Sequence, residues 1–186
     1  IVALATLAGR SALNVVRVSG GSSLKLYKKI TQKTISPKPN YISLHNIYNP
    51  SSKKILDQAM VVYYKGPKSF TGEDCLEFII HGGVVIVNQL IEACIEVGAR
   101  EAMPGEFSYR AFINNKIDLL QAESIAAIAG STNDIDTYYA INNIKGGLSK
   151  QIQQGYNLIK EIITIGEHEI DFDEGEITHT KASEYL

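Results

Sequence analysis

The sequence predicts an α+β fold, in which an amino-terminal sheet-and-helix domain is followed by the long helices of an all-α segment. In the first 117 residues, short apolar runs with strand character alternate with two helical patterns and are separated by glycine, proline and polar turns. From Leu119 onward a helical pattern replaces the glycine-punctuated strands. The composition, 45% hydrophobic and 20% charged over 186 residues, is that of a globular protein with a packed core.

The first half of the amino-terminal domain is predicted to hold four strands and one helix. Residues 1–5 and 13–18 are predicted strands, and Gly9 permits the turn between them. A helix is predicted from Ser22 or Ser23 until the proline-containing run at 36–40 ends it. Two further strands are predicted at 41–48 and 55–64.

The second half of this domain continues with a polar loop, a buried strand at 75–80 and a helix from Val84 that Gly98 ends. His81-Gly82-Gly83, between this strand and the helix, either makes the turn or lets a ligand approach the free N–H groups of the first turn. A short strand is predicted near 99–103, before the break at Pro104-Gly105.

The carboxy-terminal segment carries one apolar stripe with the period of a straight α-helix. We therefore predict a single continuous helix through these positions, held by tertiary contacts because several glycines lower its intrinsic stability. The stripe consists of Ile141, Ile144, Leu148, Ile152, Ile159, Ile162, Ile163 and Ile170.

Charge and motif spacing exclude several function classes. The 18 basic and 20 acidic residues give a net charge of -2, so any contact with RNA must be local or shared with a partner. No apolar run is long enough for a membrane helix, and the phosphate-loop spacing Gly-x-x-x-x-Gly-Lys-Ser/Thr is absent. The four histidines lack metal-site spacing, so no metal site is expected. Cys75 and Cys94 are predicted buried free thiols of a reducing compartment.

Two charged residues lie within apolar strands, where an unpaired charge is costly. Arg17 either clamps an anionic ligand or is an edge-strand arginine that reaches water. Glu77 either accepts two parallel N–H bonds from a guanidine-like edge, such as that of an aminopterin ring, or pairs with Arg17 in a structural bridge.

Two clusters of like charge are each either a solvated face or a contact surface, for RNA in the basic cluster and for a cation or partner in the acidic one. The basic cluster comprises Lys25, Lys28, Lys29, Lys33 and Lys38. The acidic cluster comprises Glu167, Glu169, Asp171, Asp173, Glu174 and Glu176.

A series of short phrases occurs in a fixed order along the chain. They are Ile1-Val2-Ala3-Leu4-Ala5-Thr6, Gly9-Arg10, Val16-Arg17-Val18-Ser19-Gly20, Ser69-Phe70-Thr71-Gly72-Glu73-Asp74, Glu77, His81-Gly82-Gly83, Pro104-Gly105-Glu106-Phe107, Arg110-Ala111-Phe112, Lys116-Ile117-Asp118-Leu119 and Gln121-Ala122-Glu123. In this order they closely resemble the amino-terminal part of the tRNA-modification GTPase MnmE (TrmE) family. The resemblance extends from Ile1 to about Glu174.

The resemblance implies two domains. Residues 1–117 would form a tetrahydrofolate-binding and dimerisation domain, similar in fold to the folate domains of glycine-cleavage-type enzymes. Residues 118–186 would form the first, truncated part of a helical domain. The GTPase domain, with its GTP, Mg²⁺ and K⁺, would lie further along the parent protein, so we expect a fragment that hydrolyses no GTP and contains no catalytic residue.

The resemblance also implies a function for the parent enzyme. Together with the flavoprotein MnmG it would modify C5 of the wobble uridine of tRNA, as a homodimer joined through the amino-terminal domain. It would act without a membrane, in a bacterial cytoplasm or an organellar matrix or stroma. The cofactor would be 5-formyltetrahydrofolate or a related one-carbon tetrahydrofolate, contacted by Arg17, Glu77 and Lys116. Glu77 would accept from the pterin, and the two cations would neutralise acceptor or carboxylate groups.

The chain departs from the family pattern in the turn after the first strand. Leu7-Ala8-Gly9-Arg10-Ser11 stands where the family usually has Pro-Pro-Gly-Arg-Gly, which relaxes a rigid turn and could alter folate affinity. Val84 stands where proline commonly follows the His-Gly-Gly phrase. Two alternatives stay open: a free-standing folate-dependent aminomethyltransferase-like domain, and a non-enzymatic dimerisation scaffold whose Arg17 and Glu77 form only a structural salt bridge.

Overall fold

The computed structural model describes residues 1–171 and shows an antiparallel sheet with helices, as the α+β prediction requires. The strands are β1 (Val2–Leu4), β2 (Leu13–Ser19), β3 (Ile42–Tyr48), β4 (Ile55–Tyr64) and β5 (Cys75–His81). The helices are α1 (Ser23–Thr31), α2 (Val84–Glu96), α3 (Glu106–Ile113), α4 (Leu119–Gly130), α5 (Asp134–Ile144) and α6 (Gly147–Asp171). The α+β class predicted from the sequence is therefore confirmed.

The five-stranded sheet has the order β1-β2-β5-β4-β3, and every neighbouring pair is antiparallel. Because successive side chains of a strand point to opposite faces, Val16 and Val18 on β2 lie on one face and Arg17 on the other. The same alternation on β5 buries Leu76 and Phe78 and places Glu77 beside Arg17, its partner in the register.

Helices α1 and α2 cover the apolar face of the sheet and complete the core. From α1, Leu26, Tyr27 and Ile30 are buried against it, and from α2, Val87 and Leu90. Each fully buried aliphatic side chain contributes roughly 1.5–3 kcal/mol of stability, so this interface holds the first domain together. The opposite face of the sheet carries Arg17 and Glu77.

Two predictions about individual elements are wrong in extent, and one helix was not predicted. Helix α1 ends at Thr31, before the proline-containing run, because Gln32 adopts a left-handed conformation with φ 55°. The strand expected at 99–103 is a single parallel bridge between Glu101 and Val2. Pro104 follows closely and has no N–H with which to continue a ladder. Helix α3, only eight residues long, was not among the predicted elements.

The continuous helix predicted for the apolar stripe is also wrong. Helix α5 begins after Asn133, whose side chain accepts a 2.8 Å hydrogen bond from the N–H of Asp136. It ends at Ile144, and Gly146 adopts φ +79°, a conformation that glycine accepts at no steric cost and that separates α5 from α6. Residues of the predicted stripe therefore lie on two helices.

The chain forms two compact units, residues 1–122 and a second unit that begins at Glu123. The domain boundary expected after residue 117 stays a prediction. The part of the second predicted domain beyond residue 171 lies outside the described residues, and so do three of the six residues of the acidic cluster, Asp173, Glu174 and Glu176. Along the described residues, no helix combines the length and apolar character needed to cross a membrane.

Candidate functional site

Arg17 and Glu77 form an ion pair across the β2–β5 ladder. The guanidinium donates from Nε to Glu77 Oε1 over 2.8 Å, and Nη2 lies 2.7 Å from the same oxygen. The side chains are 34% and 18% exposed, so the pair is half-shielded from water. It lies on the face of the sheet opposite α1 and α2, which we call the open face. The two charges that stood out within apolar strands are therefore partners, and Arg17 does not simply extend into water.

The second oxygen of Glu77 is held by the neighbouring strand β4. Tyr64 Oη donates to Glu77 Oε2 over 3.1 Å. Burial, and then the negative charge of Glu77, raise the pKa of the Tyr64 phenol, so Tyr64 remains a neutral donor at physiological pH. Because Oε2 has this one hydrogen bond, it can accept a further N–H.

Two aromatic rings lie against the guanidinium of Arg17. The Cζ atom is 5.8 Å from the ring centroid of Phe70 and 5.8 Å from that of Phe107, within the range of cation–π attraction. Phe107 belongs to α3, whereas Phe70 belongs to the loop between β4 and β5 and is partly exposed. The charged pair is therefore bordered by flat apolar surfaces.

Lys116 is joined to the same loop and makes no ion pair within residues 1–171. Its Nζ donates to the carbonyl oxygen of Pro67 over 2.9 Å. Gly72, at φ +80°, brings the loop close to this region, because a Cβ there would lie 3.2 Å from Cγ of Lys116. The structure thus connects Lys116 with the loop that carries Phe70, but the direct contacts of Lys116 do not include Arg17 or Glu77.

A second group of charges anchors this loop to α3, and sequence reasoning did not assign it a role. Glu73 accepts hydrogen bonds from Ser19 Oγ over 2.7 Å and from Arg110 Nη1 over 2.9 Å. Glu106 accepts from Arg110 Nη2 over 2.9 Å and also from Arg100. The Arg100 hydrogen bond, followed by that from the Met103 N–H, lowers the pKa of Glu106 to about 2.

The acids of this network and Arg110 occur in the phrases at 69–74, 104–107 and 110–112. The network's members come from separate parts of the chain and meet only in the folded structure. Phe70 and Phe107 belong to the same phrases, and no periodic pattern marks them. By fixing the loop and α3, the network holds both rings beside Arg17.

The structure also defines the surroundings of the cysteines and of His81. In the part of the chain that the structure describes, no group of three or more histidine, cysteine, aspartate or glutamate residues could hold a metal ion. Both cysteines are free and buried, as predicted, and burial raises the pKa of the Cys94 thiol to about 12. His81 is held by Asp57, whose Oδ1 lies 2.7 Å from Nδ1.

The geometry can bind a flat, hydrogen-bonding ring with an anionic group. A half-buried carboxylate can accept ring N–H groups, two phenyl rings offer stacking surfaces, and Arg17 and Lys116 supply positive charge. Nothing in this arrangement supplies a nucleophile with an adjacent base. The arrangement can therefore bind and orient a ligand.

Comparison with known proteins agrees with the resemblance seen in the sequence. Residues 1–116 match the family described as GTP-binding protein TrmE N-terminus. The tRNA modification GTPase MnmE of Francisella tularensis subsp. holarctica (strain LVS) is 40% identical over 180 residues, covering 95% of this chain and 38% of that protein. The protein of the same name from Francisella philomiragia subsp. philomiragia is 41% identical over the same coverage.

The chain spans about two fifths of the length of these curated relatives. Its match to the family extends over more than half of its residues and includes Arg17, Glu77 and Lys116. The chain belongs to the family of GTP-binding protein TrmE amino-terminal regions.

Proposed function

We propose that this chain is the amino-terminal, tetrahydrofolate-binding region of a tRNA modification GTPase. Family membership and the names of the relatives support the tRNA modification GTPase part of the proposal. The observation that carries the folate part is the Arg17–Glu77 pair bordered by Phe70 and Phe107 on the open face of the sheet.

The donor set fits a reduced folate. The pterin presents amino and ring N–H groups, which suit the remaining acceptor capacity of Glu77. Phe70 and Phe107 present flat apolar surfaces to the ring, and Arg17 and Lys116 can neutralise its acceptor or carboxylate groups. The folate supplies the one-carbon unit when it is bound, whereas the chain's own residues orient it and exclude water from one side.

The whole protein carries the rest of the proposed activity. We propose that it forms a homodimer through the amino-terminal domain, that it acts with the flavoprotein MnmG on C5 of the wobble uridine of tRNA, and that it does so in the cytoplasm or an organellar matrix. We propose that GTP, Mg²⁺ and K⁺ bind to a GTPase domain of the whole protein, as the names of the relatives suggest for GTP.

Calorimetric titration with 5-formyltetrahydrofolate tests the folate proposal. We expect saturable binding by the wild-type chain and at least about tenfold weaker binding by Glu77→Gln, because a hydrogen bond to a charged group contributes roughly 1.5–3 kcal/mol. Arg17→Ala should weaken binding similarly. Glu92→Gln makes the same change on an exposed position of α2 and should bind as the wild type does.

Absence of binding by the folded wild-type chain, or equal binding by Glu77→Gln and Glu92→Gln, would reject the assignment. Circular dichroism of each variant separates loss of folding from loss of the site. Lys116→Gln should weaken binding less than Glu77→Gln, because its ammonium is held by the Pro67 carbonyl at the edge of the arrangement.

One observation favours a second candidate, the non-enzymatic dimerisation scaffold. Arg17 already contacts Glu77, and Tyr64 donates to the second oxygen of Glu77, as in a purely structural bridge. In that case Glu77→Gln would lower the free energy of unfolding. Calorimetric titration would then show no folate binding by either the wild-type chain or Glu77→Gln. The free-standing aminomethyltransferase-like alternative accounts less well for the helices that follow residue 117.

A further inference from the structure

The solvent side of α1 borders a lysine-lined groove of about 790 Å³. We call it the basic groove and define it by five lysines, all exposed: Lys25, Lys28, Lys29, Lys33 and Lys53. Four of them come from α1 or the residues just after it, and Lys53 comes from the turn between β3 and β4. The groove therefore combines two separate segments of the chain into one positive surface.

Folding of the core determines where these lysines lie. Helix α1 buries Leu26, Tyr27 and Ile30, so the positions between them face water at spacings of three and four residues. Lys25 and Lys29 are one such pair, separated by about 6 Å along the helix axis. The packing of α1 on the sheet therefore turns these lysines toward water.

Lys53 is brought to the groove by a tight turn. The side chain of Asn49 accepts hydrogen bonds from the N–H groups of Ser51 and Ser52, over 3.1 and 2.7 Å. Lys53 itself has a positive φ of 60°, and its N–H donates to the carbonyl of Asn49. The turn thus holds a fifth ammonium group opposite those of α1.

The lysines of the basic groove have one carboxylate, Glu96, close by but form no ion pair with it. Within the described residues, none of the five is ion-paired with a carboxylate. Glu96 lines the adjoining groove together with Lys25, Lys29 and Lys53, and it accepts a hydrogen bond from Ser51 Oγ. Like charges three and four residues apart on a helix repel one another, and an anionic partner would relieve that repulsion.

The field of these lysines reaches the neighbouring strand. Burial, and then the positive charge of Lys33, lower the pKa of His45 on β3. Lys33 and His45 also line a third groove that adjoins the first at Lys33. Positive charge therefore extends from the β3–β4 turn across α1 to β3, although the whole chain has a net charge of -2.

We propose that the basic groove binds the phosphate backbone of RNA. Lysines act as point charges toward phosphates and read no base pattern, and the groove lining contains no aromatic side chain on which a base could stack. The contact is therefore electrostatic and independent of base sequence. The choice of RNA over another polyanion rests on the proposed function, whereas the groove and its charge do not.

The basic groove and the Arg17–Glu77 pair lie on opposite sides of the sheet. Helix α1 covers the face that carries Val16 and Val18, and Arg17 and Glu77 occupy the other. Variants at one site should therefore leave the other intact. This separation makes RNA binding and folate binding independently measurable on one chain.

The test is fluorescence anisotropy with a labelled, unmodified tRNA transcript, measured across about 50 to 200 mM salt. The test variant is the triple substitution Lys25→Gln, Lys29→Gln and Lys53→Gln. The matched control makes the same charge change on exposed lysines outside the groove, Lys145→Gln, Lys150→Gln and Lys160→Gln. A parallel arm uses phosphatidylglycerol vesicles, and each protein is also titrated with 5-formyltetrahydrofolate.

We expect the groove variant to bind the transcript at least about tenfold more weakly than the control at the lowest salt. Its slope of log affinity against log salt should fall by about 2 to 3, because each phosphate contact contributes roughly 0.7 to 0.9 to that slope. Folate binding should be the same in the variant and the wild type.

Equal transcript binding by the groove variant and the control would overturn the proposal while leaving the proposed function standing. A wild-type chain that binds vesicles and no transcript would overturn it in favour of an anionic lipid surface. A wild-type chain that binds neither transcript nor folate would reject both the groove and the proposed function.

Discussion

The two compact units of the chain use their apolar residues differently. Residues 1–122 bury Phe78, Ile80 and Leu90 completely between a sheet and two helices. In the second unit, as far as the structure describes it, Ile152 and Ile162 on α6 are more than half exposed. Helical spacing alone therefore does not make a core, because an apolar stripe stabilises a helix only where another surface covers it.

The largest expected difference concerns independent folding. We expect residues 1–122, prepared alone, to unfold in one cooperative thermal transition, since their core is complete. Residues 123–186 alone should lose most of their helical signal, because isolated helices without tertiary packing are marginal in water. Far-ultraviolet circular dichroism of the two pieces measures this, and equal helicity and cooperativity in both would contradict the comparison.

Matched truncations test the same contrast at single residues. Ile80→Ala removes a side chain with no exposed surface and should lower the free energy of unfolding by about 2–5 kcal/mol. Ile162→Ala makes the same change at a side chain that is 55% exposed and should cost less than about 1 kcal/mol. Urea denaturation of the full chain measures both losses. An equal loss of unfolding free energy in the two variants would contradict the comparison, because it would mean that another surface covers Ile162.

The charge network around α3 predicts a pH effect confined to the first unit. The folded pKa of Glu106, about 2, lies below its ordinary value of 4.5. Its contribution to stability is therefore complete above about pH 4.5 and is lost as the pH falls toward 2. Glu106→Gln should be less stable than the wild type at neutral pH, and the difference should shrink through this window.

Thermal denaturation at a series of pH values measures the difference. Glu92→Gln, on an exposed position of α2, serves as the control and should follow the wild type throughout. A difference between Glu106→Gln and wild type that stays constant from neutral pH to pH 2 would contradict the assignment of the lowered pKa to Glu106.

The smallest expected effect is at His45. Burial is the main cause of its lowered pKa and Lys33 the second, so Lys33→Gln should raise the pKa of His45 only part of the way toward its ordinary value. A proton NMR titration of the imidazole measures this change. Lys150→Gln, in the second unit, should leave the pKa of His45 unchanged. A pKa of His45 that Lys33→Gln does not alter would contradict the extension of the basic groove's field to β3.

Much of the fold followed from local pattern. The predicted strands at 13–18, 55–64 and 75–80 agree with β2, β4 and β5 to within one residue, because alternation and turn residues mark their ends. Helix α3 was missed because eight residues give too short a pattern. The break between α5 and α6 was missed because the apolar period stays in phase across Gly146, whose backbone conformation the pattern does not reveal.

The candidate site was predictable only in part. Arg17 and Glu77 were marked by their charges in apolar strands, and their pairing was one of two alternatives until the register brought them together. Lys116 came from the family resemblance alone. The rings of Phe70 and Phe107, and the Glu73–Arg110 contact, depend on segments far apart in sequence, so no local signal could have assembled them.

The most direct test of the central claim locates the bound folate. Nitrogen-15 NMR of the chain, titrated with 5-formyltetrahydrofolate, follows the Arg17 Nε–H, which now donates to Glu77. Binding at the proposed site predicts shifts of that signal and of the amides of Phe70 and Glu77, with none at Lys25 or Lys29. Saturable binding that leaves the Arg17 and Glu77 signals unmoved would contradict the account.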